Sequence, residues 1–565
     1  MNEDRNWFEQ FRKTPDYEFL KKRPAAYFCA EFGLSDNIPI FAGGLGVLAG
    51  DMVKESSDRD FPMVAVGLYY HEGYVCSEID EKGVIVERCI KTAPSDAGLS
   101  PVLDQNQNRV IIEVPIQDRS IRVQAWRWQQ GKIPVYLLDT NIAENAPMDQ
   151  KITHRLYDID KETRLKQEMV LGIGGVRILE KLGIHPSIYH MNEGHSAMLV
   201  LDLIRHEMIE RKIGFTEAKD RMSKHILFTN HTLVPAGDEL FSNDLASALL
   251  SSYAHEIAVP IKELLELGLV QESSIFSMTM LSFRLAAKIN AVSLLHQKKA
   301  KELWTDHPMD VVTNGIHVPS WDAIRSHGTM WEDHQVNKRN LLSHIESACG
   351  VHFGERDLLL GWARRLVRYK RPLVLFEDMK RFQSMATRAN RPIKVVIAGK
   401  APPGDIKAAQ LLGSLQRIVT EELKGIVVFL PNYNLELARL LVSGTDVWLN
   451  TPVVGFEASG TSGMKAALNG VLPATTRDGW VDEAELFGIG WILDSDTIHK
   501  NILDVLEYQI VPMYYHRDTN DVPLDWLRHM RNSRDLVQNQ FSTTKMLRKY
   551  IETMYLRILE AVRQE

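Results

Sequence analysis

Short runs of apolar residues recur along the chain, and turn-forming residues bound each of them. Such runs have the length and the β-branched or aromatic content of buried strands. The first series comprises AAYFCAEF (25–32), PMVAVGLYY (62–70), IPVYLLDT (133–140), SIYHMNEGH (187–195), HILFTNHT (225–232) and MDVVTNGIHV (309–318). Helix-period stretches such as DKETRLKQEMVLGIGGVRILEKL (160–182) separate several of these runs. This pattern predicts an α/β domain with a parallel sheet.

A second series of apolar runs follows further along the chain. Its members are DLLLGWARRL (357–366), IKVVIAGK (393–400), GIVVFLPNY (425–433), TDVWLNTP (445–452) and GVLPATT (470–476). Helical spacers such as NLELARLLVSG (434–444) lie between them, so this series predicts a second parallel sheet. The residues from 500 to 565 have the pattern of helices that could support either domain.

The two series predict two domains. The chain has 565 residues, whereas a single hydrophobic core stops growing beyond roughly 250–300 residues. Because the stretch 319–340 is polar and interrupted, we place an N-terminal domain at 1–335 and a C-terminal domain at 336–565. We expect two doubly wound, Rossmann-like domains that face a cleft, with ligands at the carboxyl ends of the strands.

Composition and charge narrow the class of protein. The 66 basic and 73 acidic side chains leave a net charge of −7, which disfavours a dedicated nucleic-acid-binding protein. The four cysteines lie far apart with no CxxC pair, so they indicate neither a disulfide framework nor a zinc site; they are Cys29, Cys76, Cys89 and Cys349. The first 13 residues lack a signal-peptide core, and no run approaches the ~20 apolar residues of a membrane span. We therefore expect a soluble cytoplasmic protein that binds no membrane.

A glycine-rich turn, AGGLGVLAGD (42–51), leads into a predicted helix. Glycines let backbone N–H groups approach an anion at the N-terminus of a helix, where the helix dipole also favours negative charge. The segment matches neither a Walker A motif nor GxGxxG. A phosphate cradle and a tight structural connection therefore stay equally open.

Basic residues crowd into ARRLVRYKR (363–371), at the end of the first strand of the second series. The guanidinium groups in this segment could bind phosphate in a bidentate manner, while Lys370 acts as a point charge. A solvated helix face is the common alternative, and a nucleic-acid patch is a third, although Tyr369 is the one aromatic platform in the segment. The position after a strand favours phosphate.

The segment EASGTSGMKAALNG (457–470) runs from small residues into an apolar helix that carries one lysine, Lys465. A helix N-cap followed by a lysine with its amine in solvent would have this pattern. Alternatively, amides and hydroxyls hold a phosphate while Lys465 forms a Schiff base, aided by burial that lowers the pKa of the amine. The residue types do not decide between these interpretations.

Histidine and amide side chains follow three predicted strands of the first series. They are Asn192, Glu193 and His195, then Asn230 and His231, and finally Asn314. Any one of them is more often a core or capping residue than a ligand. Their recurrence at strand ends suits a polyhydroxylated substrate, which needs many convergent hydrogen bonds. The histidine spacing is not HExxH, so we expect no metal site.

Taken together, these segments resemble the α-glucan (glycogen, starch or maltodextrin) phosphorylase family, in its short bacterial and archaeal branch, over nearly the whole chain. The resemblance implies a glycosyltransferase-B type fold, pyridoxal 5′-phosphate as cofactor, and a homodimer. It also implies reversible phosphorolysis, in which inorganic phosphate attacks the terminal α-1,4-linked glucosyl residue of the glucan and releases α-glucose 1-phosphate with retention. A nucleotide-sugar-dependent glucosyltransferase without pyridoxal phosphate and a non-catalytic glucan-binding scaffold are the alternatives.

The resemblance also implies roles for individual residues. Lys465 would form the Schiff base, and further cofactor ligands would be Thr461, Ser462 and Tyr433. The implied catalytic residues are Arg364, Arg365, Lys370 and His231. The implied substrate ligands are Gly44, Leu45, Asn192, Glu193, His195, Asn314, Glu457, Ser459 and Gly460.

Four residues in three segments depart from the pattern of the long animal and plant enzymes. Ser462 and Gly463 replace a Gly-Asn pair, Val367 replaces a histidine, and Gly33 replaces a tyrosine near the cofactor. We therefore expect the edges of the pocket to differ. The chain is also shorter than those enzymes, so we do not expect their regulatory phosphorylation or allosteric sites.

Overall fold

The computed structural model describes residues 2–79, 85–88, 91–233, 239–270, 273–325 and 329–563. It is an α/β protein built on a ten-stranded and a six-stranded sheet, which confirms the predicted fold class. Among the described residues, no helix combines the length and apolar character needed to cross a membrane. Cys29 and Cys349 carry free thiols, whereas Cys89 lies outside the described residues.

The strands of this part of the chain include those that the apolar runs predict. In chain order they are β1 Ala25–Phe28, β2 Met63–Leu68, β3 Cys76–Ile79, β4 Ile85–Arg88, β5 Ser100–Pro101, β6 Ile111–Ile116, β7 Arg119–Gln130, β8 Ile133–Asp139, β9 Ile188–Asn192, β10 Ile226–Thr229, β11 Leu240–Ser242, β12 Ile275–Ser277, β13 Lys288–Ala291, β14 Asp310–Val311, β15 Leu358–Ala363, β16 Ile393–Ala398, β17 Val427–Leu430, β18 Val447–Asn450, β19 Leu472–Thr476 and β20 Trp491–Leu493. Each predicted run contains one of these strands, but the sequence patterns did not predict β3, β4, β5, β6, β7, β11, β12, β13 or β20.

Helices fill the connections between these strands. They are α1 Asn2–Phe11, α2 Pro15–Lys22, α3 Gly44–Asp58, α4 Pro147–Gln150, α5 Lys161–Met169, α6 Gly175–Lys181, α7 Leu199–Arg211, α8 Phe215–Ser223, α9 Asn243–Glu256, α10 Ile261–Gly268, α11 Met278–Leu285, α12 Leu294–Leu303, α13 Val318–Trp321, α14 Met330–Cys349, α15 Met379–Ala386, α16 Ile406–Arg417, α17 Leu435–Gly444, α18 Thr461–Leu468, α19 Ile498–Val505, α20 Val511–Tyr515, α21 Leu524–Gln540, α22 Thr543–Tyr550 and α23 Leu556–Arg563. The predicted helix at 160–182 is α5 and α6, joined by a π-helical turn at Val170–Gly174.

The first sheet has the order β14-β13-β10-β9-β1-β2-β8-β7-β5, with β6 paired to β7. The strands from β14 to β8 are parallel, but β5, β6 and β7 are antiparallel. The prediction of a wholly parallel sheet is therefore wrong at this edge. A two-residue turn joins β7 to β8, and its first residue, Gly131, has φ +54°. Such tight turns connect only antiparallel strands.

The second sheet has the order β17-β16-β15-β18-β19-β20, and every pair in it is parallel, as predicted. This order reverses direction between β15 and β18. In open parallel sheets, ligands bind in the crevice at such a reversal, outside the carboxyl ends of the strands. In this sheet, that crevice lies next to Ala363 and Asn450.

Loops at the carboxyl ends of the two sheets contact each other. The hydrogen bonds between them include Ser293 Oγ to Ala458 O at 2.7 Å, Thr313 Oγ1 to Glu483 Oε2 at 2.8 Å, and Leu435 N to Asp36 Oδ1 at 2.7 Å. Each partner follows a parallel strand of its own sheet. The carboxyl edges of the two sheets therefore face each other, and residues at these strand ends share one cleft.

The helices predicted near the C-terminus form, and the last of them pack on the first sheet. Met554 and Tyr555 belong to the first-sheet core, and the Tyr555 ring stacks on Phe61 with 5.5 Å between centroids. An earlier helix, α21, packs on the second sheet instead, and its residues Trp526 and Met530 lie in the core of that sheet. The domain bounds 1–335 and 336–565 stay a prediction.

A buried histidine joins these last helices to the strands of the first sheet. His190 of β9 lies 2.8 Å from the Tyr555 hydroxyl through Nδ1 and 2.7 Å from Thr229 Oγ1 through Nε2. Burial lowers the pKa of His190 to about 3. The folded protein therefore holds this ring in its neutral form.

We expect the free energy of unfolding to fall with pH partly because of His190. Its pKa is about 3 in the folded state and about 6.5 in the unfolded state, so only the unfolded state gains its proton between these values. Stability that is present above pH 6.5 is lost as the pH falls, by up to about 1.4 kcal/mol per pH unit.

Urea unfolding between pH 6 and pH 4 checks this prediction. His190→Gln should reduce the pH dependence of the free energy of unfolding by up to the contribution of one proton. An unaltered slope in His190→Gln contradicts the assignment.

Candidate functional site

A glycine-rich loop opens the first wall of the cleft. Gly44 begins α3, and the preceding N–H groups of Ala42 and Gly43 donate to Glu31 Oε2 at 2.7 and 3.2 Å. A Cβ at Gly46 would lie 2.7 Å from the same oxygen, so only glycine fits there. The N–H groups of Gly44 and Leu45 belong to the first helical turn and have no intrahelical acceptor. The loop can therefore receive an anion.

Arg365 reaches this loop from the second sheet. Its Cγ and Cδ lie 3.9 Å from the position that a Cβ on Gly43 would take. The side chain is exposed, and its guanidinium makes no ion pair with any residue that the structure describes. The structure thus brings the predicted basic segment and the predicted glycine-rich loop together across the cleft.

The buried carboxylate of Glu457 forms ion pairs with two further cations of the basic segment. Lys370 Nζ lies 2.8 Å from Glu457 Oε2, and Arg364 Nη1 lies 3.5 Å from the same atom. Arg364 also donates to Asn450 Oδ1 at the end of β18. Burial opposes ionisation of Glu457, but the charges of Lys370 and Arg364 outweigh it and hold the pKa of the carboxyl below its ordinary value.

A second polar group lies on the first sheet, where β9 and β10 end. His231 Nε2 is 2.7 Å from Asn192 Oδ1, and the His231 N–H donates to Glu193 Oε2 at 2.9 Å. Burial, with the nearby imidazoles His296, His190 and His195, lowers the pKa of His231 to about 3. His231 is therefore neutral at ordinary pH. Glu193 has φ +75° and ψ 167°, a backbone conformation that costs a non-glycine residue about 1–3 kcal/mol.

Several buried polar atoms near these strand ends have no hydrogen-bond partner among the described residues. They are both amide atoms of Asn230, Asn314 Oδ1, His195 Nδ1, Ser459 Oγ and Arg364 Nε. Buried polar groups in folded proteins are nearly always hydrogen-bonded. Unpartnered atoms at facing strand ends are therefore available to a ligand that is rich in hydroxyl or phosphate groups.

Lys465 lies on α18 with its side chain buried. Its Nζ is 4.2 Å from the centroid of the Trp321 ring and 3.5 Å from Thr461 Oγ1. Burial lowers the pKa of this amine to about 8, although the charge of Asp51 opposes the shift. About a tenth of Lys465 is therefore a neutral amine at pH 7, and this is the nucleophilic form.

Other predicted cofactor ligands lie close to these groups. Tyr433 follows β17, and burial raises the pKa of its hydroxyl to about 12, while the nearby Arg364 charge opposes the shift. Gly460, a predicted substrate ligand, precedes α18 with φ +82°. Ser462 is half-buried in the first turn of α18. The roles of the individual site residues stay predictions.

The structure gives a physical account of two of the three departures. A Cβ at Gly463 would lie 3.2 Å from Trp480 Nε1, and a Cβ at Gly33 would lie 3.0 Å from Val47 Cα. Gly33 N–H also donates to Gly46 O at 2.7 Å. Trp480 and α3 thus occupy the space that larger side chains at these positions would need. Nothing in the structure explains Val367.

Sequence reasoning missed four residues of this site. They are Glu31, Asp51, Trp321 and Asn450. Trp321 closes the segment TNGIHVPSW, so its proximity to a predicted ligand, Asn314, was an available signal. Across the residues with described positions, no group of three or more His, Cys, Asp or Glu side chains is arranged to hold a metal ion.

Comparison with known proteins gives a consistent result. The Carbohydrate phosphorylase family matches residues 322–488. The chain is 33% identical to the maltodextrin phosphorylase of Thermococcus litoralis, over 99% of this chain and 73% of that protein. It is 32% identical to the glycogen phosphorylase of Aquifex aeolicus, over 96% of this chain and 88% of that protein. With this similarity along both parts of the cleft, the chain belongs to the carbohydrate phosphorylase family.

Proposed function

We propose that this protein is an α-glucan phosphorylase. It would cleave the terminal α-1,4-linked glucosyl residue of a glucan with inorganic phosphate and release α-glucose 1-phosphate with retention. The observation that carries this proposal is the meeting of Gly43, Arg365 and the buried Lys370–Glu457 pair at facing strand ends. Relatives named maltodextrin and glycogen phosphorylase, similar over nearly the whole chain, support it.

The residues around Lys465 fit pyridoxal 5′-phosphate. A buried amine with a pKa of about 8 suits covalent attachment of an aldehyde, and Trp321 offers an aromatic face beside it. Thr461 and the basic segment supply donors for the phosphate group. When bound, this cofactor would supply a phosphate that serves as the acid–base partner of the substrate phosphate.

The chain's own contribution to phosphate binding is electrostatic. Two phosphate groups in contact repel each other by about 4 kcal/mol per pair of unit charges at ~4 Å and an effective dielectric constant near 20. Arg364, Arg365 and Lys370 are three cations, and Glu457 neutralises only one of them. The remaining two positive charges and the N-terminus of α3 compensate this repulsion.

The first-sheet residues would orient the sugar. His231 is neutral and hydrogen-bonded to Asn192, so it offers the sugar a hydrogen bond without a competing charge. Asn314 and His195 hold unpartnered polar atoms that suit sugar hydroxyls. Many convergent hydrogen bonds discriminate strongly between a hydroxylated substrate and an analogue that lacks a hydroxyl.

The same proposal includes the type of fold and the oligomeric state. The facing carboxyl edges of two sheets, one of them wholly parallel with a central reversal, fit a glycosyltransferase-B type arrangement. We also expect a homodimer, as the family resemblance implies. A nucleotide-sugar-dependent glucosyltransferase is not favoured, because the family match and the relatives named phosphorylases point to phosphorolysis.

Borohydride reduction tests the cofactor assignment. We expect the reduced protein to gain the mass of one pyridoxyl phosphate group, and peptide mapping to find it on Lys465. Lys465→Ala should abolish the adduct, because the reacting amine is removed.

Lys54→Ala is the matched control for this experiment, because the Lys54 amine is also partly buried with a lowered pKa. This variant should keep the adduct. An adduct on Lys54, or none on reconstituted wild-type protein, would contradict the assignment.

Arg365→Ala tests the phosphate site. The Arg365 cation would stabilise the negative charge of the phosphate groups during the reaction. Its removal should therefore lower kcat/KM for phosphorolysis of maltodextrin by roughly 10²–10³-fold. The free energy of unfolding should change by less than about 0.5 kcal/mol, since Arg365 is exposed.

Release of glucose 1-phosphate and urea unfolding provide the two measurements. Arg417→Ala, at an exposed arginine on the same domain, should retain the wild-type rate. Near-normal phosphorolysis by Arg365→Ala would refute the role of this residue.

A further inference from the structure

A fully buried carboxylate lies on α3, seven residues after Gly44. Asp51 is 1% exposed, and its Oδ1 and Oδ2 lie 3.0 and 2.9 Å from the indole N–H donor of Trp321. The His317 N–H also donates to Oδ2, at 3.3 Å. A buried carboxylate is costly unless such donors satisfy it. Asp51 therefore accepts its hydrogen bonds from the segment that carries His317 and Trp321.

The other side of the Trp321 residue is tied to Lys465. The Lys465 ammonium lies over the indole at 4.2 Å, a distance typical of a cation–π contact. Asn469 Nδ2 donates to Trp321 O at 2.8 Å and to Lys465 O at 2.9 Å. A continuous set of contacts therefore runs from Asp51 through Trp321 to Lys465.

Other charged groups face the same amine. Lys54 and Arg439 lower the pKa of Lys465 and add to the effect of burial, whereas the Asp51 charge raises it. The Arg439 guanidinium lies 5.7 Å from the Trp321 ring and 3.8 Å from Asp36. Asp51 thus brings negative charge to a group of three cations, namely Lys465, Lys54 and Arg439.

We propose that Asp51 is a positioning residue that holds the Trp321 indole against Lys465 and keeps a buried negative charge beside this side chain. The inference rests on the proposed function in one respect, namely that Lys465 binds an aldehyde cofactor. Because Gly44 and Asp51 lie on one helix, the same element also links the glycine-rich loop to the cofactor lysine.

The chemistry of attachment defines what Asp51 would control. The ammonium first loses a proton to solvent, and the nitrogen lone pair of the neutral amine attacks the aldehyde carbon. One water molecule leaves as the C=N bond forms. The Asp51 charge would lower the fraction of neutral amine at a given pH, against the larger opposite effect of burial, and the orientation of Trp321 would control the rate at which that amine reacts.

Asp51→Asn separates the charge from the hydrogen bond, because the amide oxygen can still accept the indole N–H. In the cofactor-free full chain, competitive labelling with acetic anhydride between pH 6 and pH 10 gives the midpoint for Lys465 by peptide mass spectrometry. Removing the carboxylate charge should lower this midpoint by about one pH unit. An unchanged midpoint overturns the electrostatic part of the proposal.

Glu55→Gln is the matched control for the loss of a carboxylate from α3. Glu55 is also buried, but it accepts hydrogen bonds from Thr543 and Thr544 rather than from Trp321. It should leave the Lys465 midpoint unchanged. A shift of equal size in Glu55→Gln would show a general effect of α3 and overturn a specific role for Asp51.

Trp321→Phe tests the positioning role and does not depend on the Asp51 variant folding. It keeps an aromatic face but removes the N–H that Asp51 binds. The rate of adduct formation with pyridoxal 5′-phosphate at high pH, where the amine is neutral, should fall at least about tenfold. An unchanged high-pH rate overturns the positioning role.

These measurements also separate this inference from the proposed function. If wild-type protein forms no adduct on Lys465, the cofactor assignment fails, while the labelling midpoints still report on Asp51. If the adduct forms but Asp51→Asn and wild type share one midpoint, the electrostatic role of Asp51 fails and the proposed function stands.

Discussion

The buried ion pair between Glu457 and Lys370, with Arg364 beside it, is the interaction on which the cleft depends. Taking cations out of water is costly unless a counter-charge accompanies them, and Glu457 supplies one negative charge for two of the three cations. The lowered pKa of Glu457 keeps that charge at ordinary pH. The positive charge that Glu457 leaves uncompensated near the cleft is then available to bind an anionic ligand. Removing Glu457 would deprive both buried cations of this counter-charge.

Helix α3 contacts several parts of the site and the C-terminal helices. Its N-terminus carries Gly44, its middle carries Asp51 beneath Trp321, and its last turns carry Glu55, which binds Thr543 and Thr544. One rigid helix therefore joins the glycine-rich loop, the surroundings of Lys465 and the C-terminal helices. The glycines at 33 and 50 make this possible, since a Cβ at Gly50 would lie 2.2 Å from Gly33 O. A helix this close to the strand-end loop leaves no room for the tyrosine of the longer enzymes.

Much of the fold was predictable because buried parallel strands appear as continuous apolar runs. The runs at 357–366 and 445–452 became β15 and β18, and the reversal between them brings Arg364 next to Asn450. The antiparallel extension was not predicted, since β7 alternates buried and exposed residues rather than forming a continuous run. Among site residues, Lys465 and Arg365 stood out by motif and by family resemblance. Glu31 and Asp51 carried no comparable signal, because a lone carboxylate in a sequence is ordinarily solvated.

The sequence by itself determined the α/β class, the two series of strands and the residue types at their carboxyl ends, because these follow from local periodicity and turn chemistry. It also contained the segments whose resemblance indicated the family. Only the tertiary structure decided which of these residues meet: Arg365 with Gly43, His231 with Asn192, and Lys465 with Trp321. It also decided that Asp51 is buried and that Lys465 has a lowered pKa. Desolvation and long-range contacts set these properties, and both arise from packing between segments that lie far apart in the chain.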